Sequence, residues 1–491
     1  MTVTITGHDL TRLELARVAR SREPVQLDAG VRGRMAETRA VVERALETGA
    51  TVYGTTTAVG VLKRVDVSPE AGAAYSSHML AHHIVGQGPD APADVVRGTL
   101  VRLVNHLAEA SPGVRPELAE RLVAALDEDP PRVRSIGSVG QADLAPLAEL
   151  VTPLLEGFEL AAGEGTALLD NNAFSTAWAG LALTDAFDLI DVLDAAGALS
   201  LDGFAANPSL LHPAIGVVRP YPGVRETLRR LGSLLVGSAI HEPGVARNLQ
   251  DPLSFRNLPQ LHGAARDALA HADAILAVEL NANQGNPMVV ADEDRLVSVA
   301  NFEILPLAAA LDYVRVVLAS VLGAASERVT KMVYPLWSGL PTGLVPEAGT
   351  PEAGLTYLSL AAQSLAVEAR LLAMPVSFEL VSTTHAEGIE DRTTSAPLAA
   401  RRLAEQVELG QRIAAIELAV AAQAVEVRGT RPARGSAASI ELVRRHVPFL
   451  RMGDHVPDVE PLAAAIRGRA FSEFILDGDS SDPGEGRVDG A

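Results

Sequence analysis

The chain contains no cysteine in 491 residues, which excludes disulfides, thiolate metal sites and a cysteine nucleophile. Basic residues are scarce beside acidic ones, 41 against 61, and the formal net charge is -20. A nucleic acid or an anionic membrane surface would need a basic face to meet it, so both are argued against as partners. Solubility and avoidance of like-charged neighbours account for the acidity. Also missing are a phosphate-binding P-loop, a Gly-x-Gly-x-x-Gly between strand and helix, and a His-Glu-x-x-His, so no nucleotide, flavin or metal cofactor is indicated. The opening Met1-Thr-Val-Thr-Ile-Thr-Gly-His-Asp has neither the basic nor the apolar part of a secretion signal. Every apolar run is cut by Arg, Asp, Glu or Pro, so no bilayer span is expected. The expectation is a cytoplasmic protein.

What is present is hydrophobic, 48% of the residues, enough for a large core divided into more than one packing unit. Residues 31–49, rich in Ala, Glu and Arg with apolar positions at helical spacing, predict a helix. So do 307–329, 355–372 and 398–427, which are apolar on most faces and belong inside a bundle or between subunits. Strand signals are few and short, as at 2–5. The fold class expected is mainly α, an elongated bundle of long central helices. Residues 1–200 would form an N-terminal region carrying the active-site loops, and 201–476 the long-helix bundle. Residues 477–491, almost free of apolar side chains, would be a disordered tail. Segments 355–372 and 398–427 carry more apolar surface than one layer of neighbours covers, which points to oligomerisation.

Several polar segments interrupt the helices. Tyr53-Gly-Thr-Thr-Thr-Ala-Val-Gly60 is a Gly- and Thr-rich loop with one tyrosine. In Ser76-Ser-His78-Met-Leu-Ala-His82-His83-Ile-Val-Gly-Gln-Gly88, His78 and His82 would share a helix face, but no glutamate base or third ligand accompanies them, and ordinary hydrogen-bonded histidines are the better reading. In Ile136-Gly-Ser-Val-Gly140-Gln141-Ala142-Asp143-Leu-Ala-Pro146, two glycines mark tight backbone and Asp143 reads as a helix N-cap with proline in the first turn. The loop is thereby delivered to a helix N-terminus, where developing negative charge is favoured. Gln250-Asp-Pro-Leu253-Ser-Phe-Arg256 offers an arginine suited to bidentate carboxylate binding. Asn281 to Pro287 and Ile389 to Ser395 are polar patches whose groups must be paired or serve a site.

In this order and spacing the segments resemble the aromatic amino acid lyase family, the histidine, phenylalanine and tyrosine ammonia-lyases and aminomutases, over nearly the whole chain. Tyr53-Gly-x-x-Thr57-x-x-Gly60 looks like the loop of the family's catalytic tyrosine base, and His83-Ile-Val-Gly-Gln-Gly like its histidine-containing substrate segment. Gly113-Val-Arg-Pro-Glu117 is similar to a structural motif upstream of the chromophore loop. Gly137-Ser-Val-Gly140 and Asp143-Leu-Ala-Pro-Leu-Ala148 bracket the chromophore position. Gln250-Asp-Pro-x-Ser-x-Arg256 resembles the carboxylate-binding segment, and Asn286-Pro287, Asn301-Phe302 and Glu390-Asp391 follow in register. The resemblance implies an ammonia-lyase/fumarase-type helical fold and a homotetramer whose active sites borrow residues from neighbouring subunits.

The departures bear on chemistry. The family builds its electrophile, a methylidene-imidazolone, by cyclising Ala-Ser-Gly and dehydrating the serine. Between Gly140 and Asp143 stand only Gln141 and Ala142, with no serine to dehydrate and one residue too few. The group is therefore expected not to form. A second tyrosine is replaced by Leu253, and an asparagine by Asp170, followed by Asn171 and Asn172. Gln284-Gly285 replaces a Ser-Asp, while Glu303 and Arg392 replace two histidines. The resemblance thus places Tyr53, His83, Gln141 and Ala142 at the catalytic positions. It places Asp170, Asn171, Gln250, Leu253, Arg256, Asn286, Glu303 and Glu390 around the substrate. The expected activity is electrophile-independent acid/base chemistry on a small carboxylate-bearing, amino-acid-like molecule, by elimination or addition, isomerisation or cyclisation. Tyr53 would be the base, eased by His83 or Arg256 because a free phenol ionises near ~10. Two alternatives stand. If a matured chromophore is written as the single residue Ala142, the chain is a conventional ammonia-lyase; or it is a non-catalytic binding or scaffold relative.

Overall fold

The computed structural model describes residues 2–378 and 386–471, so the expected tail at 477–491 lies outside the described residues. Among the described residues six short strands pair two by two. β1 (Val3–Ile5) runs parallel to β2 (Val25–Leu27), β3 (Gln87–Asp90) antiparallel to β4 (Arg134–Ile136), and β5 (Met288–Val290) antiparallel to β6 (Arg295–Val297). The rest is mostly helix. The first half carries α1 (Arg12–Ser21), α2 (Val31–Glu47), α3 (Gly72–His82), α4 (Ala93–Ala108), α5 (Pro116–Ala125), α6 (Leu144–Leu154), α7 (Glu164–Leu169), α8 (Ala173–Phe204), α9 (Ala214–Val218) and α10 (Pro222–Leu234). Then follow α11 (Leu253–Arg256), α12 (Leu258–Glu279), α13 (Leu305–Val333), α14 (Pro335–Ser338), α15 (Leu358–Leu372), α16 (Ala396–Arg428), α17 (Arg434–Arg444) and α18 (Glu460–Arg467). The four helices expected from periodicity are α2, α13, α15 and α16, and the fold is mainly α with long helices.

The apolar helices fare differently. Most of α16 is buried, including Ile413, Leu418, Val420 and Ala424, whereas α15 leaves Leu360, Val367 and Leu371 exposed on one stripe. Uncovered apolar surface is thus a property of α15 and not of α16. One expectation is corrected: by length and composition α13 could cross a membrane. Its charged residues are spaced too widely to interrupt the run. Arg315 and Arg328 on this helix are fully buried and bonded to protein, as in the core helix of a globular unit.

The packing forms two compact units, each assembled from three stretches. One comprises Met1–Thr184, His271–Tyr313 and Pro375–Leu403, the other Asp185–Ala270, Val314–Met374 and Ala404–Ala491. The contiguous division at residue 200 expected from sequence differs from this, because α8, α12, α13 and α16 each continue past a boundary. In the second unit Arg328 and Glu417 form a fully buried ion pair at 2.5 Å, and Ser200 Oγ donates to Glu417 at 2.7 Å. Such a pair is tolerated where further hydrogen bonds saturate both charges.

Candidate active site

The short helix α7 organises the first unit's site. At its start the fully buried Glu164 accepts from Arg115 Nε at 2.9 Å, Arg115 Nη2 at 2.8 Å, the Arg115 amide at 3.0 Å and the Ala161 amide at 2.7 Å. The Gly113-Val-Arg-Pro-Glu117 motif is therefore the clamp that fixes α7. Thr166 Oγ1, two residues on, donates to the Gly54 carbonyl at 2.8 Å. Gly54 has φ +66°, and a Cβ there would stand 2.2 Å from Thr166 Oγ1, so this approach requires glycine. The Tyr53 loop is thereby pinned to α7.

The half-buried Tyr53 hydroxyl accepts the Gly60 N–H at 2.9 Å, and Tyr75 on α3 accepts the Val59 N–H at 2.9 Å. Tyr75 went unnoticed in the sequence, where nothing separates it from an ordinary packed tyrosine. Burial raises the Tyr53 phenol above its ordinary range; Asp170 and Glu390 add to this and the Gly60 N–H opposes it. At neutral pH Tyr53 keeps its proton. Help from His83 was expected, but His83 is not among the groups acting on it. Its Nδ1 lies 2.7 Å from the Met79 carbonyl and donates a hydrogen bond to it. His78 and His82 do share a face of α3, with ring centroids 6.3 Å apart. No group of three or more potential metal ligands gathers among the described residues.

Asp170 ends α7, half-buried. Burial first and Glu390 second push its carboxyl up to about 8, against a hydrogen bond from the Asn286 side chain. Glu390 arrives on a segment held by Lys63, whose Nζ donates to Ala386 O at 3.2 Å and Glu387 Oε2 at 3.0 Å, and by Arg64, at 3.0 Å from the same oxygen. Glu390 Oε1 lies 3.7 Å from where a Cβ on Gly60 would stand. Tyr53, Asp170, Asn286 and Glu390 are thus brought together within one unit.

The loop before α6 is built differently. Thr394 Oγ1 donates to the Gly140 carbonyl at 2.6 Å, and the Ser395 amide to Val139 O at 2.9 Å. Gly140 has φ +80°, and a Cβ there would meet Thr394 Oγ1 at 2.2 Å. Gln141 Nε2 donates to Glu303 Oε2 at 2.9 Å, with Arg392 Nε 3.7 Å from that oxygen, while Glu303 Oε1 accepts the Leu305 amide at 3.1 Å at the start of α13. Ala142 is buried at φ +66°. Asp143 holds the N-cap position of α6, but its carboxylate does not cap the helix, a correction to the expected role. It accepts instead from Ser138 Oγ at 2.7 Å, Ser175 N at 2.7 Å and Ser175 Oγ at 2.8 Å, donors that reach it from outside the helix. Asn171 is likewise corrected. Fully buried, it donates to Ala167 O and Leu168 O and accepts the Ala173 amide, joining α7 to α8 and leaving no group for a substrate.

These residues do not fit the family's electrophile. Between Gly140 and Asp143 there is no serine hydroxyl to lose, and Ser138 already donates to Asp143 and accepts the Gly140 amide at 3.1 Å. No step below is routed through that group.

The remaining predicted residues lie in the second unit. Asp251 is buried and accepts the Asn207 amide at 2.6 Å and Asn248 Nδ2 at 3.0 Å, and Phe255 stacks on Phe204 with centroids 4.1 Å apart. Arg328 Nη1 donates to the Ser254 carbonyl at 3.0 Å. With the segment anchored by these inner residues, Gln250, Leu253 and Arg256, spaced by three, are all exposed.

Long helices, together with a glycine-pinned tyrosine loop beside two carboxyls, define an ammonia-lyase-type protein. The sequence model of the aromatic amino acid lyases matches residues 10–445, and the chain belongs to that family. It is accordingly a lyase-family enzyme. It is 35% identical to a histidine ammonia-lyase of Symbiobacterium thermophilum over 489 residues, covering 94% of this chain and 96% of that protein. Among solved structures, histidine ammonia-lyase from Trypanosoma cruzi superposes with TM-score 0.88 at 26% identity, over 97% of this chain and 96% of that one. An ergothioneine-degrading enzyme from Treponema denticola superposes with TM-score 0.89 at 24% identity, over 97% and 100%, a likeness of fold alone.

Proposed function

We propose that this enzyme performs proton-transfer chemistry on a small carboxylate-bearing, amino-acid-like substrate without a methylidene-imidazolone, with Tyr53 as the base. The reaction is an elimination or its reverse addition, an isomerisation or a cyclisation. The observation that carries the reading is a contrast within one unit: Tyr53 faces two carboxyls, while the loop in the electrophile position has its polar groups bound internally. Unassisted loss of ammonia from an amino acid is a poor candidate, because the β-proton is not acidic and the amine leaves badly. Positioned acid/base groups accelerate proton transfer next to an acidifying group by roughly 10²–10⁴-fold.

A buried phenol near two carboxyls needs a cation to ionise. In this proposal Arg256 of another copy supplies it and holds the substrate carboxylate. The outward row Gln250, Leu253 and Arg256 and the exposed stripe of α15 favour such an assembly, a homotetramer acting in the cytoplasm.

Intact mass and the near-ultraviolet spectrum test the premise. The expected result is the encoded mass with no absorbance removable by borohydride. A mass short by two waters, one lost on cyclisation and one on dehydration of the serine, together with ammonia release from histidine, tyrosine or phenylalanine, would make the chain a conventional ammonia-lyase and refute the proposal. Activity then separates on Tyr53→Phe, which is expected to silence turnover while the protein keeps its fold.

A further inference from the structure

An acid/base elimination needs two proton movements. A base removes a proton from carbon, and a leaving group that departs with an electron pair takes up a proton as its bond breaks. Tyr53 cannot serve both at once. The structure holds a second group on the same support, since Asp170 terminates the helix whose Thr166 pins the Tyr53 loop. The Asn286 side chain bonds its carboxyl, and a Cβ on the neighbouring Gly285 would meet the Asp170 carbonyl oxygen at 3.2 Å, so the residue is tightly packed. Glu390 faces it from the segment held by Lys63 and Arg64.

We propose that Asp170, paired with Glu390, is the second proton-transferring residue of this site, giving its proton to the leaving group as Tyr53 takes one from carbon. The inference rests on the acid/base reading above and narrows the substrate class. An ammonium has no lone pair to receive a proton, so the leaving group is one that does, a hydroxyl or a sulfur. In the step, the C–H bond breaks with its proton going to the Tyr53 phenolate oxygen, and its electron pair forms the C=C bond. The bond to the leaving atom breaks with its pair on that atom, which takes the Asp170 proton. The net loss is one molecule of water or thiol. The enzyme is left with a phenol and a carboxylate, and exchange of one proton each with solvent resets it.

The charged and titratable groups around Asp170 favour a loaded acid. Glu390 opposes a second negative charge, and the Tyr53 phenolate, once ionised beside Arg256 of another copy, opposes it further. Behind Gly285, His106 of α4 is held neutral by burial and then by Arg102, its titration pushed down to about 3. With Asp170 titrating at about 8, the acid is present at neutral pH and lost above it.

The test uses the full chain with 3-hydroxy-3-phenylpropanoate and 3-hydroxy-3-(imidazol-4-yl)propanoate as probes, in which the proton lost lies next to the carboxylate, and the corresponding 3-amino acids as their ammonium counterparts. The expected result is formation of the unsaturated acid from a hydroxy acid, with kcat/KM falling above about pH 8. Asp170→Asn should lower that turnover by at least ~100-fold and remove the alkaline limb. Carbon-13 spectra of aspartate-labelled protein give a second readout that needs no turnover: the carboxyl signal absent from Asp170→Asn should titrate near 8. Titration of that signal in the ordinary carboxylate range overturns the proposal, as does turnover of the amino acids but not the hydroxy acids. If Asp170→Asn keeps turnover and its alkaline limb while Tyr53→Phe is silent, this inference fails and the reading of Tyr53 survives. If Tyr53→Phe is also unchanged, both fail.

Discussion

Two glycine-bearing loops of the first unit invite comparison, Tyr53 to Gly60 and Gly137 to Asp143. Both are tied down by a threonine hydroxyl donating to a glycine carbonyl, Thr166 to Gly54 and Thr394 to Gly140. They differ in what their side chains do. Tyr53 receives one backbone N–H and faces carboxyls, whereas Gln141 is bonded to Glu303, Ser138 to Asp143, and Ala142 is buried. A polar side chain whose hydrogen bonds are complete within the protein supports structure, and one that is held but unsatisfied remains available for chemistry. On the proposed reading the first loop serves the reaction and the second gives rigidity.

The largest effect expected from that contrast is on turnover. Tyr53→Phe should lower kcat by roughly 10²–10⁴-fold with little change in melting temperature, and Gln141→Ala should not; equal loss in both variants would erase the distinction between the loops. Next is the clamp beneath the reactive loop. Arg115→Ala leaves Glu164 buried and unpaired, and should cost about 3–5 kcal/mol in denaturant unfolding. A loss below ~1 kcal/mol would mean the Tyr53 loop is held by something other than α7.

Asp170→Asn sharpens the comparison through pH. Unfolded, the carboxyl titrates near ~3.9, and folded at about 8, so between these values the native state retains a proton the unfolded chain has released. The stability this contributes is full below the lower value and is lost as pH rises toward the higher one. The asparagine variant should therefore gain on the natural chain between these pH values and then level off, by about 1–3 kcal/mol, water at this half-buried residue limiting the gain. A constant difference across the range would place the carboxyl among ordinary ones. The smallest effect belongs to the second loop. Gln141→Ala should cost about 1 kcal/mol of stability through the lost bond to Glu303. No measurable cost would show that bond to be idle.

Long elements and motif positions were legible in the sequence, and partners were not. The runs behind α13, α15 and α16 are long enough that periodicity decides them, and Tyr53, Asn286 and Glu390 reach one place in the first unit as the motif order implied. Asn171 misled because an asparagine's donors satisfy helix ends as readily as ligands, and sequence does not say which. Asp143 was correctly placed at a helix start, but its partners, Ser138 and Ser175, come from two other segments. The second unit's Gln250, Leu253 and Arg256 illustrate the same limit, since their spacing was visible while their exposure depended on Asp251, Phe255 and Arg328 filling the inner side.

That outward row has a kinetic consequence. If the guanidinium that completes one site is mounted on a different molecule, specific activity becomes a function of how concentrated the enzyme is. Dilution below the dissociation constant of the assembly would then extinguish turnover without unfolding anything. Mixing a chain lacking Arg256 with one lacking Tyr53 would restore it, each defective copy lending the other the half it retains.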